Sequence, residues 1–303
     1  MKRKDIRIRD PFIVNEGGIY YMYSATCSAD GRTIEVYRSR DLEEWDEPTV
    51  VYRLDSSTWR ERELWAPEVH KYRGRFYLLL SILGKGGLRG TEISVSDTPD
   101  GIFQPIADAP ATPAGQSCID GTLWVDGDRP YMIYSHDWPD NYDAARDAYI
   151  GQICGVELSA DLKQEVGEPF FLFDSSDVPY SAAAPSRSKR GDRTLIRYGS
   201  DAPFINRLAD GRLLLTWSPY PGNNYVVLGA VAKDIRGPWQ HFERPIFDGN
   251  GGHAMFFRDN GGRLMMCMHQ PERHPDERAM ILPFLTSDAV FLPDEIKKLL
   301  TDD

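Results

Sequence analysis

The chain has 303 residues, 41% hydrophobic and 27% charged, the composition of an ordinary globular protein and enough for one large all-β domain. Its 46 acidic against 35 basic residues leave a net charge of −11, which argues against a nucleic-acid or anionic-membrane partner and is compatible with a neutral ligand such as a sugar. Met1-Lys2-Arg3-Lys4-Asp5 is followed by no apolar signal segment, and no run is long enough to span a bilayer, so a cytoplasmic location is expected.

In chain order the sequence repeats one pattern five times: a short apolar strand, a Gly or Asp turn, and a second strand rich in Tyr, Leu or Met. The copies begin at Asp10-Pro-Phe-Ile-Val, Ala66-Pro-Glu-Val-His, Asp120-Gly-Thr-Leu-Trp, Asp201-Ala-Pro-Phe-Ile and His253-Ala-Met-Phe-Phe. Outer strands with alternating polar and apolar residues follow, as in Ile34-Glu-Val-Tyr-Arg-Ser and Thr91-Glu-Ile-Ser-Val-Ser. Units recurring at roughly 50–80 residues read as the blades of a propeller. The expected fold is therefore all-β, a five-bladed β-propeller with four antiparallel strands per blade, formed as a single domain over residues 1–303. In a propeller the first strand of each blade starts near the central axis, so Asp10, Asp120, Asp201 and His253 are expected to meet in one pocket. Converging carboxylates are costly for folding, and their presence suggests chemistry.

Between the third and fourth copies, residues 174–197 break the rhythm and read as a long loop on the pocket side. Its basic residues Arg187, Lys189, Arg190 and Arg193 read as a solvated face. At the C-terminus, residues 293–300 open with Pro and two acids and continue into lysines, the signature of a short helix. Cys27, Cys118, Cys154 and Cys267 form no C-x-x-C pair and no metal spacing, and read as buried free thiols. The 7 Trp and 15 Tyr mostly reflect the preference of aromatics for strands, with two or three expected to face a cleft and stack on a sugar. Gly84-Lys-Gly-Gly and Gly249-Asn-Gly-Gly lack the helix that a phosphate loop needs, and no Gly-x-Ser-x-Gly elbow is present.

Six stretches in order, from Arg9-Asp-Pro-Phe-Ile-Val through Leu64-Trp-Ala-Pro-Glu-Val-His, Ile119-Asp-Gly-Thr-Leu-Trp-Val, Asp201-Ala-Pro-Phe-Ile and Gly252-His-Ala-Met to His269-Gln-Pro with Glu277-Arg278, resemble glycoside hydrolase family 43 over about residues 5–290. The resemblance implies an inverting glycosidase of arabinofuranosidase or xylosidase type that releases a terminal pentose or galactofuranose from a small oligosaccharide substrate. In such a reaction a general base and a general acid stand roughly 6.5–9.5 Å apart on either side of the scissile bond.

Carried over, Asp10 is the base and Asp120 the carboxylate that orients the acid and raises its pKa. Asp201 is the acid, where the family has Glu-Gly-Pro rather than Asp201-Ala-Pro. Its side chain is one methylene shorter, and displacement on the order of 1 Å can cost ~10²-fold in rate. Glu68 is therefore the alternative acid. Trp65 and Ala66 match the floor for the terminal sugar, and Arg278 an arginine reaching its hydroxyls. His136 and Trp138 are candidates for the rim. His253 matches a central histidine associated with a cation, usually calcium, which prefers oxygen ligands. Two alternatives stay open: a sugar-binding propeller without catalysis, and a related five-bladed glycoside phosphorylase.

Overall fold

The computed structural model describes residues 1–25, 31–56 and 58–300. It is a five-bladed β-propeller. The first blade comprises Phe12–Glu16, Ile19–Ser24, Thr33–Ser39 and Thr49–Arg53; the second, Arg60–Tyr72, Arg75–Gly84, Arg89–Ser96 and Gln104–Pro105. The third comprises Cys118–Asp126, Arg129–His136, Gln152–Glu157 and Phe170–Asp174; the fourth, Asp201–Arg207, Leu213–Ser218, Leu228–Ala232 and Gln240–His241. The fifth has Gly252–Arg258, Leu264–Gln270 and Arg278–Pro283, three strands where four were expected. Its outer strand is instead flanked by the N-terminal segment, with the Ile8 amide donating to the Glu277 carbonyl at 3.1 Å. First strands of adjacent blades touch all the way round, the fifth against the first, so the ring closes.

The second strand of each blade shows why the inner hairpins read as continuous apolar runs. Leu78 and Leu80 face one neighbouring blade and belong to one core cluster, while Leu79 faces the other way into the next. Met132 and Ile133 divide in the same manner, as do Leu214 and Leu215. Side chains alternate across a strand, and both faces of a blade are buried against its neighbours, so both sets must be apolar. The hairpin turns are set by residues that accept positive φ. Gly17 and Gly18 lie at +60° and +79° between Glu16 and Ile19, the backbone of a two-residue hairpin turn.

Residues 174–197 are not a plain loop. Ser186–Arg190 and Arg193–Tyr198 form a hairpin whose second strand runs parallel to Ala148–Ile150, making a sixth, four-stranded sheet with Tyr142–Asp143. Arg187, Lys189 and Arg193 are exposed on it, as a solvated face requires. The C-terminal helix spans Asp294–Lys297 and buries Ile296 beside Leu292 and Leu300, against the fourth and fifth blades. Cys118, Cys154 and Cys267 are buried and free; Cys27 lies outside the described residues. Among the described residues no helix is long and apolar enough to cross a membrane.

Candidate active site

One backbone feature recurs at the start of every blade. Asp10, Ala66, Asp120, Ala202 and His253 all have positive φ, between 48° and 59°. In the second to fifth blades the strand register shifts across this residue, a bulge that turns its side chain out of the pleat and towards the axis. A left-handed φ costs a non-glycine residue roughly 1–2 kcal/mol, and strained positions gather at functional sites. The axial residue of the fourth blade is Ala202, so Asp201 stands one position earlier, in register with Trp65 and Ile119. It joins the other carboxylates in the pocket from the position beside the axial one.

The axial amides are tied to the ends of the second strands. The Asp120 amide donates to Ser81 Oγ (2.8 Å) and the His253 amide to Ser218 Oγ (2.9 Å), each in the preceding blade. At the equivalent ladder position the second, third and fourth blades carry Ser81, Ser135 and Ser218; the fifth carries His269. The Asp10 amide therefore donates to an imidazole, His269 Nδ1, at 3.3 Å. His269 is fully buried, and its Nε2 lies 2.5 Å from Glu272 Oε2. An Nδ1 that accepts from the amide places the ring proton on Nε2, where Glu272 receives it. Arg9 Nη1 in turn donates to both Glu272 oxygens, at 2.7 and 2.8 Å.

These neighbours set the charge of Asp10. Its Oδ1 is buried, 3.1 Å from Nδ1 of both His253 and His269, with neither ring aligned for a good hydrogen bond. Oδ2 is 3.6 Å from Arg9 Nε. Burial pushes the Asp10 pKa up, but the His253 imidazolium and the Arg9 guanidinium outweigh it and hold the carboxyl well below its usual range. Burial likewise opposes charge on His253, yet Asp10 and Asp120 raise its pKa to about 10.

Asp201 is the reverse case. Burial, then the nearby Asp120 and Asp137 carboxyls, push it well above the ordinary aspartate value, and Tyr225 Oη donates to its Oδ2 at 3.4 Å. Asp120, whose Oδ2 accepts from the Ala202 amide at 3.0 Å, is raised by burial and by Asp10 against the pull of His253. Asp137 is raised to about 7 by burial and by Asp120. One pocket thus holds two aspartates whose pKa values are pushed in opposite directions, the separation from which acid and base roles are built.

The cavity has a volume of about 530 Å³. Asp10, Asp120, Asp201 and His253 line its depth, while Trp65 and Trp138 line its more open part. Other expected residues lie elsewhere. Glu68 is buried outside the cavity lining, paired with His70 Nε2 at 2.8 Å. Ala66 is buried at the axis, where its positive φ rather than its side chain distinguishes it. His136 is held by Gln152 and Asp140 at 2.9 and 3.0 Å. Arg278 does not reach the site: its guanidinium donates to the carbonyls of Lys4, Pro275 and Glu277, joining the fifth blade to the N-terminal segment.

The arginines at the cavity are Arg9 and Arg197, and neither was assigned a role from sequence. Asp137, Tyr220 and Glu272, which also line the cavity, were missed as well. Of the missed residues, His269 carried a readable signal, as the exception to the serine of the second, third and fourth repeats.

The donor set at His253 does not fit calcium, which takes six to eight oxygens. Its Nδ1 faces Asp10 Oδ1 at 3.1 Å and Asp120 Oδ2 at 4.0 Å, and the imidazolium itself supplies the positive charge. Among the described residues no three ligating side chains converge on a metal position.

The sequence matches the model for glycosyl hydrolases family 43 over residues 5–284. The fold superposes on an endo-arabinase from Bacteroides thetaiotaomicron VPI-5482 with a TM-score of 0.84 and 32% identity, covering 96% of this chain and 99% of that one. Among curated proteins, the chain is 32% identical over 90 residues to xylosidase/arabinosidase 43A of Humicola insolens, a match covering 29% of this chain and 27% of that protein. It is 31% identical over 91 residues to the extracellular exo-α-(1→5)-L-arabinofuranosidase ArbA of Cellvibrio japonicus (strain Ueda107), covering 27% and 24%. These two matches span about a quarter of the length of each curated relative.

Proposed function

The chain belongs to glycosyl hydrolases family 43, and from that premise we propose that it hydrolyses O-glycosidic bonds with inversion, releasing a terminal pentose or galactofuranose from short oligosaccharides. The observation that carries this reading is the convergence of Asp10 and Asp201 on one cavity, in surroundings that push their pKa values in opposite directions. Asp10 is the general base. Because its Oδ1 is buried between two imidazoles, Oδ2 is the oxygen that accepts the proton of the attacking water. Asp201 is the general acid that protonates the leaving oxygen. Asp120 keeps Asp201 protonated by its nearby charge and fixes the adjacent backbone through the Ala202 amide.

Asp201 rather than Glu68 is assigned the acid because it faces the cavity and Glu68 does not. No metal is assigned a step. The names of the relatives, an endo-arabinase, a xylosidase/arabinosidase and an exo-arabinofuranosidase, favour arabinose or xylose as the glycone. The test is hydrolysis of p-nitrophenyl arabinofuranoside, xyloside and galactofuranoside, with the anomer of the fresh product followed by proton NMR. Release of one sugar at a time with inverted configuration, lost in Asp10→Asn, is expected. Retained configuration, or equal turnover by the variant, contradicts the reading. Release of internal fragments from a polymer would contradict its exo component.

A further inference from the structure

Of the two arginines at the cavity, Arg9 is committed to protein carboxylates: it holds Glu272 at 2.7 Å and lies 3.6 Å from Asp10. Arg197 is not. Its Nε donates to Ser186 Oγ at 3.0 Å, and among the described residues no carboxylate lies within ion-pair distance of it. The guanidinium lies over the rings of Trp138 and Tyr220, with Cζ 5.1 and 5.4 Å from their centroids, within the range of cation–π attraction.

Arg197 stands near the end of Arg193–Tyr198, in the small sheet added beside the third and fourth blades, and lines the partly exposed section of the cavity rather than its buried end. A guanidinium held by one hydroxyl and two rings, its two terminal nitrogens without a hydrogen-bond partner among the described residues, presents a planar fork. Such a fork matches a carboxylate with two parallel hydrogen bonds, where a sugar hydroxyl takes only one.

We propose that Arg197 makes the outer part of the cavity a subsite for the carboxylate of a hexuronic acid, carried on the leaving-group side of the substrate. The placement on the leaving-group side rests on the proposed exo-glycosidase reading, in which the terminal sugar occupies the buried end beside Asp10. The subsite itself rests on Arg197 and its neighbours alone. It also gives this acidic protein a local attraction for a charged saccharide.

The test compares glucuronate with glucose, which differ at C6, by calorimetry on the full chain. Binding of glucuronate at least tenfold tighter than glucose, weakening with added salt, is expected. Arg197→Met keeps a flexible apolar stem against the two rings and should remove the difference, and Arg197→Lys should restore part of it. Equal binding of the two sugars, or a preference that survives Arg197→Met in a protein with unchanged circular dichroism, overturns the proposal. Displacement of glucuronate by inorganic phosphate together with phosphate-dependent cleavage would assign the site to phosphate and overturn it as well. Binding is read without turnover, so a glucuronate preference in a protein that cleaves nothing upholds this subsite while refuting the hydrolase reading. Turnover of neutral substrates with no such preference does the reverse.

Discussion

Asp10 and Asp201 are the same side chain in two environments, and in the proposed reaction those environments divide the work. Asp10 must be ionised to act as base, so the rate falls as pH drops through its pKa. Asp201 must be protonated to act as acid, so the rate falls as pH rises through its own. The first limb lies low because His253 and Arg9 outweigh burial; the second lies high because burial, Asp120 and Asp137 add together. His269 is the informative residue to change, since serine holds its position in the second, third and fourth blades. In His269→Ser the imidazole that accepts from the Asp10 amide and is braced by Glu272 is lost. A fall in kcat on the order of tenfold to a hundredfold should accompany it, with KM little changed, because the base is no longer held in place. An unchanged kcat, or a loss carried by KM instead, would count against a positioning role for His269.

At the scale of elements, the site is a by-product of how tightly first and second strands approach at the axis. Gly252 precedes the axial His253. A Cβ there would lie 2.6 Å from the Tyr225 ring and 2.9 Å from Ser218 Oγ. Tyr225 is fully buried and stacked between Tyr220 and His269, at 4.3 and 5.4 Å, so the ring has nowhere to retreat. Gly252→Ala should therefore cost about 1–3 kcal/mol of stability, seen as a lowered Tm. It should also cut kcat, because Tyr225 donates to Asp201. Gly86→Ala, with open space at its Cβ, is the control and should leave both unchanged.

The same scale shows what could be read from sequence. The inner hairpins were legible because burial on both faces demands unbroken apolar strands. Ser186–Arg190 was not: Ser-Arg-Ser-Lys-Arg has no apolar face, and it is a strand only because Arg193–Tyr198 lies beside it. The start of each first strand was legible as a motif, but its bulge and positive φ were not. That is why Asp201 looked equivalent to Asp10 and Asp120 when it stands one register position away.

For the whole molecule, closing the ring is what turns scattered residues into a site. Asn15 of the first blade donates to the Arg258 carbonyl of the fifth at 3.0 Å, and the Asn260 amide donates to Tyr20 Oη at 2.7 Å. Closure sets Asp10 beside His253 and His269, contacts between the two ends of the chain. Arg278 had been expected at the sugar and instead helps hold that junction, while Arg9, next to the base in sequence, takes the place at the cavity. Segments inserted between the blade strands decided the outer wall, and Arg197 and Tyr220 carried no pattern that a sequence alone exposes.

The division of labour between Asp10 and Asp201 is tested most directly by turnover of one glycone carrying two leaving groups, dinitrophenol and an alkyl alcohol, in wild type, Asp10→Asn and Asp201→Asn. The alkyl alcohol needs a proton to depart and dinitrophenol does not. Asp201→Asn should keep most activity on the dinitrophenyl glycoside and lose about 10²–10⁴-fold on the alkyl glycoside, whereas Asp10→Asn should fail on both. Equal losses on both substrates in Asp201→Asn, or survival of Asp10→Asn on either, would contradict the assignment.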